Sequence, residues 1–199
     1  MEKQLIISVS REYGSAGHEI AENIAKEMNL NFYDRNMLDE IATKKNMQIE
    51  HLKKYDEKPR NIFNSRKVGS FTNSYEQIIA EMQFDYIREK ADSGESFVIV
   101  GRCAETVLKE NKALVSIFIL GDKDTKLKRI MDKFQLNASD AAAKIRRHDR
   151  NRKQYHNHYS EGKWGDSRLY DMCINSSRLG TEKTTAVVKH FIEETITAS

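Results

Sequence analysis

Residues 5–20 read LIISVSREYGSAGHEI, a short apolar run that leads through a glycine-containing turn into the start of a helix. Glycines let the backbone turn tightly and present N–H groups to an anion, and a helix N-terminus adds partial positive charge. The order strand, turn, helix therefore predicts a cradle for phosphate. An ordinary strand-to-helix turn that needs small residues has the same appearance, so the segment alone leaves both interpretations open.

The turn departs from the P-loop pattern G-x-x-x-x-G-K-[ST]. Counted back from Gly17, the first glycine of the pattern falls at Glu12. His18 stands at the lysine position, and Glu19 at the serine or threonine position. His18 and Glu19 also begin the zinc-binding pattern H-E-x-x-H, but Glu22 occupies the place of the second histidine. We therefore predict no zinc site here.

Five apolar segments further define the fold. Phe97–Val100 and Leu114–Leu120 are almost continuously apolar, which is typical of parallel strands covered on both faces. Helical patterns alternate with the strands, and this alternation predicts an α/β fold with a largely parallel sheet. The other predicted strands are Leu5–Val9, Asn31–Tyr33 and Asp171–Asn175. Predicted helices cover residues 20–29, 35–43, 75–94, 127–134 and 184–196.

Composition excludes several classes of protein. The chain has 199 residues, about one domain, with 39% hydrophobic and 32% charged residues. A net charge of +3 gives no general argument for a nucleic-acid or membrane partner. No apolar run approaches the ~20 residues of a membrane span, and the first ten residues do not resemble a signal peptide. Two cysteines, Cys103 and Cys173, cannot build a disulfide framework, so a reducing, cytoplasmic location is predicted.

Positive charge is concentrated between residues 144 and 168, where eight Lys and Arg stand against three Asp and Glu. If this segment is helical, Arg146 and Arg150 lie on one face and repel each other modestly. Such a cost indicates an anionic partner, because guanidinium groups match phosphate oxygens in pairs. A solvated charged face is the commoner explanation of such runs. The aromatic residues nearby also leave open a nucleic-acid-binding module.

Polar residues follow two of the predicted strands. Arg102 comes after Phe97–Val100, and Asp34 comes after Asn31–Tyr33. Ligands of open α/β sheets bind at the carboxyl ends of the strands, so both residues are candidates for holding a ligand. A structural ion pair at Arg102 and a helix cap at Asp34 are the alternatives.

Three histidines, His148, His156 and His158, lie within eleven residues of sequence. Their spacing is irregular and no cysteine is near, so we predict no metal site. Trp164, between two glycines, indicates an ordered turn, and Cys103 indicates a packed small side chain rather than a nucleophile.

Several motifs occur in a fixed order along the chain. They are the loop segment Ile6–Ile20, FYDRNML at 32–38, VIVGR at 98–102, RRHDRNR at 146–152, KWGD at 163–166 and DMCINSS at 171–177. Together these motifs resemble the cytidylate-kinase-like proteins of the P-loop nucleoside monophosphate kinase family, and the resemblance covers nearly the whole chain. The loop and KWGD motifs resemble a divergent subgroup more than authentic cytidylate kinases.

The resemblance implies a fold, a reaction and roles for residues. The fold would be a three-layer α/β/α domain over residues 1–199, with a five-stranded sheet, a possible acceptor-side insertion at 50–73 and an arginine-rich lid at 144–168. The reaction would move the γ-phosphoryl group of ATP, with Mg²⁺, to a nucleoside monophosphate of the CMP type or a related small acceptor. Residues that would bind the donor phosphates are Arg11, Gly14, Ser15, Ala16, Gly17 and His18. Asp34 and Arg102 would bind the acceptor. The lid would close over the transferring group with four arginines: Arg146, Arg147, Arg150 and Arg152.

Departures from the family pattern keep a second function open. The P-loop lysine and the Mg²⁺-binding hydroxyl are missing, and Val100 and Cys103 replace the acidic residues that read cytosine in true cytidylate kinases. The base specificity of that family is therefore not expected to carry over. The main alternative to a kinase is a non-catalytic protein that binds a nucleotide or a phosphorylated metabolite. The sequence does not decide the oligomeric state.

Overall fold

A computed structural model describes residues 3–46, 67–68, 71–72 and 75–198. The strands are β1 (Ile6–Arg11), β2 (Asn31–Tyr33), β3 (Lys67–Val68), β4 (Phe71–Thr72), β5 (Phe97–Val100), β6 (Leu114–Leu120) and β7 (Met172–Asn175). The helices are α1 (Gly17–Glu27), α2 (Met37–Lys44), α3 (Tyr75–Asp92), α4 (Ala104–Val107), α5 (Lys123–Phe134), α6 (Ala138–Tyr159) and α7 (Ser176–Ala198).

Five of the strands form one parallel sheet in the order β2-β5-β1-β6-β7. The central strand β1 pairs with β5 from Ile6↔Phe97 to Val9↔Val100, and with β6 on its other side. Because all five strands run the same way, their carboxyl ends and the loops that follow them meet at one edge. Strands β3 and β4 form a separate antiparallel pair.

Two apolar cores cover the two faces of the sheet. Alternate side chains of β1 divide between them, with Ile6 in one cluster and Ile7 in the other. The first core also contains buried residues of α2, α3 and α4, and the second contains buried residues of α1 and α7. This confirms the predicted three-layer α/β/α fold and explains why the strands are apolar at consecutive positions.

The predicted elements agree with the structure to within four residues, except for the last helix, which is predicted at 184–196 and is observed from Ser176 to Ala198 with a non-helical backbone at Gly180. Strand β1 extends two residues beyond the predicted Leu5–Val9, and β7 begins one residue after the predicted Asp171. The arginine cluster is helical throughout, because it lies inside the 22-residue helix α6. Most of the predicted insertion at 50–73 lies outside the described residues. In the part of the chain that the structure covers, no helix is both long and apolar enough to cross a membrane.

Candidate functional site

The turn between β1 and α1 has an unusual backbone. Gly14 has φ 87° and Ala16 has φ 62°, so both lie in the left-handed region. Ala16 is the residue before α1 and gives that helix no side-chain cap. The Ser15 hydroxyl instead donates to the Glu12 carbonyl at 2.9 Å and accepts from the Gly17 amide at 3.3 Å. The Gly17 amide is thus engaged by Ser15, and the amides that follow it in the first turn of α1 lie at the glycine turn, where a helix N-terminus favours an anion.

A cleft of about 590 Å³ opens beside this turn, and we call it the loop cleft. Its volume lies in the range of small-molecule sites, roughly 300–1,000 Å³. Four cationic side chains from β1, α5 and α6 converge on it: Arg11, Arg129, Lys133 and Arg152. The acidic residues of its wall are Glu12, Glu19 and Glu22.

Arg11 lies between two glycines. A Cβ atom on Gly17 would stand 2.5 Å from the Arg11 Cβ, and a Cβ on Gly101 would stand 2.5 Å from its Nη1. The side chain therefore runs from the start of α1 across to the end of β5, and any larger residue at either glycine would displace it.

Gly101, Arg102 and Cys103, the residues after β5, are consecutively left-handed, with φ values of 80°, 63° and 52°. Left-handed non-glycine residues are strained, and such strain is concentrated at functional sites. The conformation turns Arg102 inward, where only 3% of its surface is exposed.

Arg102 lines a second, small cavity, the Arg102 pocket, together with Arg11 and Arg152. It holds about 20 Å³, roughly the room for one water. Arg11 and Arg152 also line the loop cleft, so two guanidinium groups form the border between the two cavities.

Side chains of α5 and α6 contact the glycine turn and stabilise it. The Lys126 ammonium donates to Glu12 at 2.8 Å and lies 3.7 Å from Asp149. The amide of Tyr13 donates to Asp149 at 2.6 Å. Burial raises the pKa of the Asp149 carboxyl, while the Tyr13 amide and the Lys126 charge lower it in part. Lys126 thus supports the turn through its contacts with Glu12 and Asp149.

Two arginines bond directly to the backbone of the turn. Arg129 donates to the Gly14 carbonyl at 3.0 Å, and Arg152 donates to the Arg11 carbonyl at 3.2 Å. The Arg152 guanidinium also lies 5.4 Å from the centre of the Tyr13 ring, and that ring stacks on His148 at 4.1 Å. These contacts hold Arg152 in position at the border of the two cavities.

The four arginines of α6 point in different directions. Arg152 lies at the loop cleft, whereas Arg146 and Arg150 line a separate groove between α5 and α6. Arg147 is exposed, and its charge reaches Tyr13. The structure therefore brings Arg152 together with Arg11 and Arg102, and it does not bring all four arginines to one point.

His18 and Asp34 form a pair at the start of α1. The His18 Nε2 lies 2.7 Å from the Asp34 Oδ2, and the imidazole packs edge-on against Phe32 at 5.4 Å. The hydrogen bond from His18 is the largest of several effects that together lower the pKa of the Asp34 carboxyl, and the charge of Arg102 contributes. The two predicted acceptor residues, Asp34 and Arg102, therefore influence each other across neighbouring strands.

The His18–Asp34 pair predicts a stability loss in acid. Because the folded pKa of Asp34 is below its ordinary 3.8, the carboxylate stabilises the fold above that pH and loses this effect as the pH falls through the folded value. We expect Asp34→Asn to be less stable than the parent near neutral pH, with the difference shrinking below about pH 4. Urea unfolding at a series of pH values measures this difference. The control His18→Gln should behave in the same way, and parallel stability curves at all pH values would contradict the assignment.

Sequence reasoning missed a buried polar cluster beneath the Arg102 pocket. One carboxylate oxygen of Glu105 accepts from the Ser8 hydroxyl at 3.2 Å, and the other lies 2.9 Å from the His156 Nε2. The side chains of Glu105 and His156 are at most 4% exposed. The cluster joins α4, β1 and α6. Among the residues that the structure covers, no group of His, Cys, Asp and Glu is arranged to hold a metal ion.

The fold and the family model define the class of the chain. A parallel sheet of this order, with a glycine turn between its central strand and the first helix, is the fold of the P-loop kinases. The model of the cytidylate kinase-like family matches residues 6–178, and the chain belongs to that family.

Solved structures give the same fold. An uncharacterized protein from Eubacterium ventriosum ATCC 27560 is 38% identical, with a TM-score of 0.76 over 96% of this chain and 99% of that one. Shikimate kinase from Bacteroides thetaiotaomicron is 13% identical, with a TM-score of 0.56 over 95% and 98% of the two chains. A sugar kinase from Janibacter sp. HTCC2649 is 16% identical, with a TM-score of 0.52 over 96% and 95%. The last two show the fold alone. No curated protein matches the chain.

Proposed function

We propose that the protein is a phosphotransferase that moves the γ-phosphoryl group of ATP to a small phosphorylated acceptor, with a CMP-like nucleoside monophosphate as the first candidate. The observation that carries this proposal is the shared border of the loop cleft and the Arg102 pocket, which Arg11 and Arg152 form. Phosphoryl transfer depends mainly on positioning and on neutralising charge between donor and acceptor. Two guanidinium groups at such a border suit a phosphoryl group that passes from one cavity to the other.

The donor side of the proposal is the loop cleft. The first turn of α1 would bind phosphate oxygens through its amides, and Arg129 and Lys133 would bind further along the cleft. Glu19 occupies the position where the P-loop pattern has a hydroxyl, and Glu22 lies one turn further along the wall. The Glu22 carboxylate is paired with Lys26 at 2.9 Å, so Glu19 is the residue that would offer an oxygen ligand to Mg²⁺, which would neutralise donor phosphate charge when bound with ATP.

The acceptor side of the proposal is the Arg102 pocket with Asp34. Arg102 would bind the acceptor phosphate, and the His18–Asp34 pair would lie beside the rest of the acceptor. Because the pocket holds about 20 Å³, it admits a phosphorylated acceptor only after α6 moves outward. The C-terminal half of α6 would then act as the lid predicted at 144–168, closing Arg152 over the reacting group and excluding water.

A non-catalytic nucleotide-binding protein is the second candidate. The observation in its favour is the His18–Asp34 pair. His18 stands at the lysine position of the P-loop pattern, and its imidazole is bonded to Asp34 rather than left to bind a phosphate. Both candidates bind nucleotide in the loop cleft and differ only in turnover.

One pair of measurements separates the two candidates. ATP binding is measured by calorimetry with and without Mg²⁺, and ADP release is then followed with a panel of nucleoside monophosphates that includes CMP. We expect Mg²⁺-dependent binding and acceptor-dependent ADP release, and we expect Arg102→Ala to abolish the release while ATP binding is retained. Arg88→Ala, on the exposed side of α3, is the control. Binding without turnover on any acceptor would favour the second candidate, and no ATP binding would reject both.

A further inference from the structure

Three residues that the proposed reaction does not use line one groove. Arg146, Arg150 and Trp164, all singled out by the sequence, line a groove of about 500 Å³ between α5 and α6, here called the α5–α6 groove. None of the residues that line this groove also lines the loop cleft. The groove is therefore a third cavity, which shares Trp164 with the Arg102 pocket and no lining residue with the loop cleft.

The α5–α6 groove combines an apolar floor with a positive rim. Leu127, Ala142 and Ile145 form the floor. Asp149 is the single acidic residue of its lining, and it is engaged by Tyr13 and Lys126. Four further cations surround the floor, and none of them makes an ion pair within the described part of the chain: Lys123, Arg146, Arg150 and Lys153. An apolar floor with unpaired positive charge around it is complementary to an anion that has an apolar body.

Trp164 narrows the class of ligand. Its indole is half-buried and packs edge-on against Phe118, with ring centres 5.4 Å apart and planes at 79°. Its amide donates to Asn157 at 2.8 Å, which fixes the turn that carries it. A fixed indole beside arginine planes suits a flat aromatic ring, and paired guanidinium groups suit phosphate.

We propose that the α5–α6 groove is a second binding site, for a mononucleotide-sized aromatic phosphate. The ring would lie on the apolar floor beside Trp164, and the phosphate would bind Arg146 and Arg150. The volume suits such a ligand, since small-molecule sites span roughly 300–1,000 Å³.

A ligand in this groove would affect the glycine turn through residues that contact both. Asp149 and Lys126 line the groove, and the same two side chains hold Tyr13 and Glu12 of the loop cleft. A ligand that alters these contacts changes the affinity of the loop cleft for its own ligand, and the reverse effect is of equal size. In this proposal the groove would therefore also regulate binding in the loop cleft.

The sole tryptophan of the chain makes the proposal testable without an activity assay. AMP is titrated into the full chain while Trp164 fluorescence is recorded. We expect a saturable fluorescence change. The affinity for AMP obtained from it should be about tenfold lower or more in Arg146→Ala/Arg150→Ala, because two charge-assisted contacts are lost. Both arginines are exposed, so the fold is retained, and the unfolding midpoint of the variant verifies this.

Controls separate this groove from the two cavities of the proposed reaction. Trp164 also borders the Arg102 pocket, so Arg102→Ala is titrated in parallel, and Arg129→Ala tests the loop cleft. We expect both variants to keep the AMP signal. The proposal is overturned by the absence of a saturable signal, by its loss in either control, or by an equal signal in the double variant. Stronger binding of octyl phosphate than of AMP would also overturn it, because the groove would then select an alkyl chain rather than an aromatic ring.

Discussion

Replacing Arg152 with alanine is expected to lower kcat for phosphoryl transfer about 10²–10³-fold, the range seen when one transition-state donor is removed. Arg152 borders both the loop cleft and the Arg102 pocket, and it bonds to the Arg11 carbonyl at 3.2 Å. In the proposed reaction, its loss therefore removes one of the two cations at the point of transfer. The measurement is steady-state ADP release on the best acceptor of the panel, with kcat and KM for ATP determined separately.

Two variants show whether the effect belongs to the guanidinium group. Arg152→Lys keeps the charge but loses the planar fork, so it should recover only part of kcat. Arg88→Ala removes an exposed arginine that pairs with Asp85, 3.2 Å away on the same helix, and should leave kcat unchanged. An Arg152→Ala enzyme within about threefold of the parent in kcat would remove this residue from the proposed transfer step.

Glu105→Ala is expected to cost about 3 kcal/mol or more in the free energy of unfolding. The change leaves the Ser8 hydroxyl and the His156 imidazole buried without the carboxylate that each contacts. In a chain of this size such a loss lowers Tm by roughly 10 °C, measurable by thermal and urea unfolding.

The double variant Glu105→Leu/His156→Leu tests the cause of that loss. If the cost comes from orphaned polar groups, replacing both partners with apolar side chains should be less damaging than Glu105→Ala. Glu110→Ala, an exposed acid five residues away, is the control and should change stability little. A Glu105→Ala protein as stable as the parent would show that the cluster does not hold α6 in place.

The sheet was predictable because its cause is local. Buried parallel strands need consecutive apolar residues, and Phe97–Val100 and Leu114–Leu120 show that pattern directly. The glycine turn was also visible, since Gly14 adopts a backbone that other residues avoid.

The rest of the candidate site depends on contacts across the chain. Lys126 contacts Glu12, 114 residues earlier in the sequence, and Arg129 contacts Gly14, 115 residues earlier. No short sequence motif therefore identifies Lys126 or Arg129 as part of the turn. Helical geometry already separates Arg146 and Arg150 from Arg152, because residues four apart share a face and residues six apart do not. Glu105 carried no signal, since its role depends on packing between three elements.

The Arg102 pocket has a kinetic consequence. In the proposed reaction, a cavity of about 20 Å³ cannot exchange acceptor and product while α6 lies against it, and the buried contact between His156 and Glu105 would resist each outward movement. Product release is then slower than bond making, as in many enzymes with closing elements. Turnover would follow the viscosity of the solvent, and the first round of product would form in a burst before the steady rate is reached.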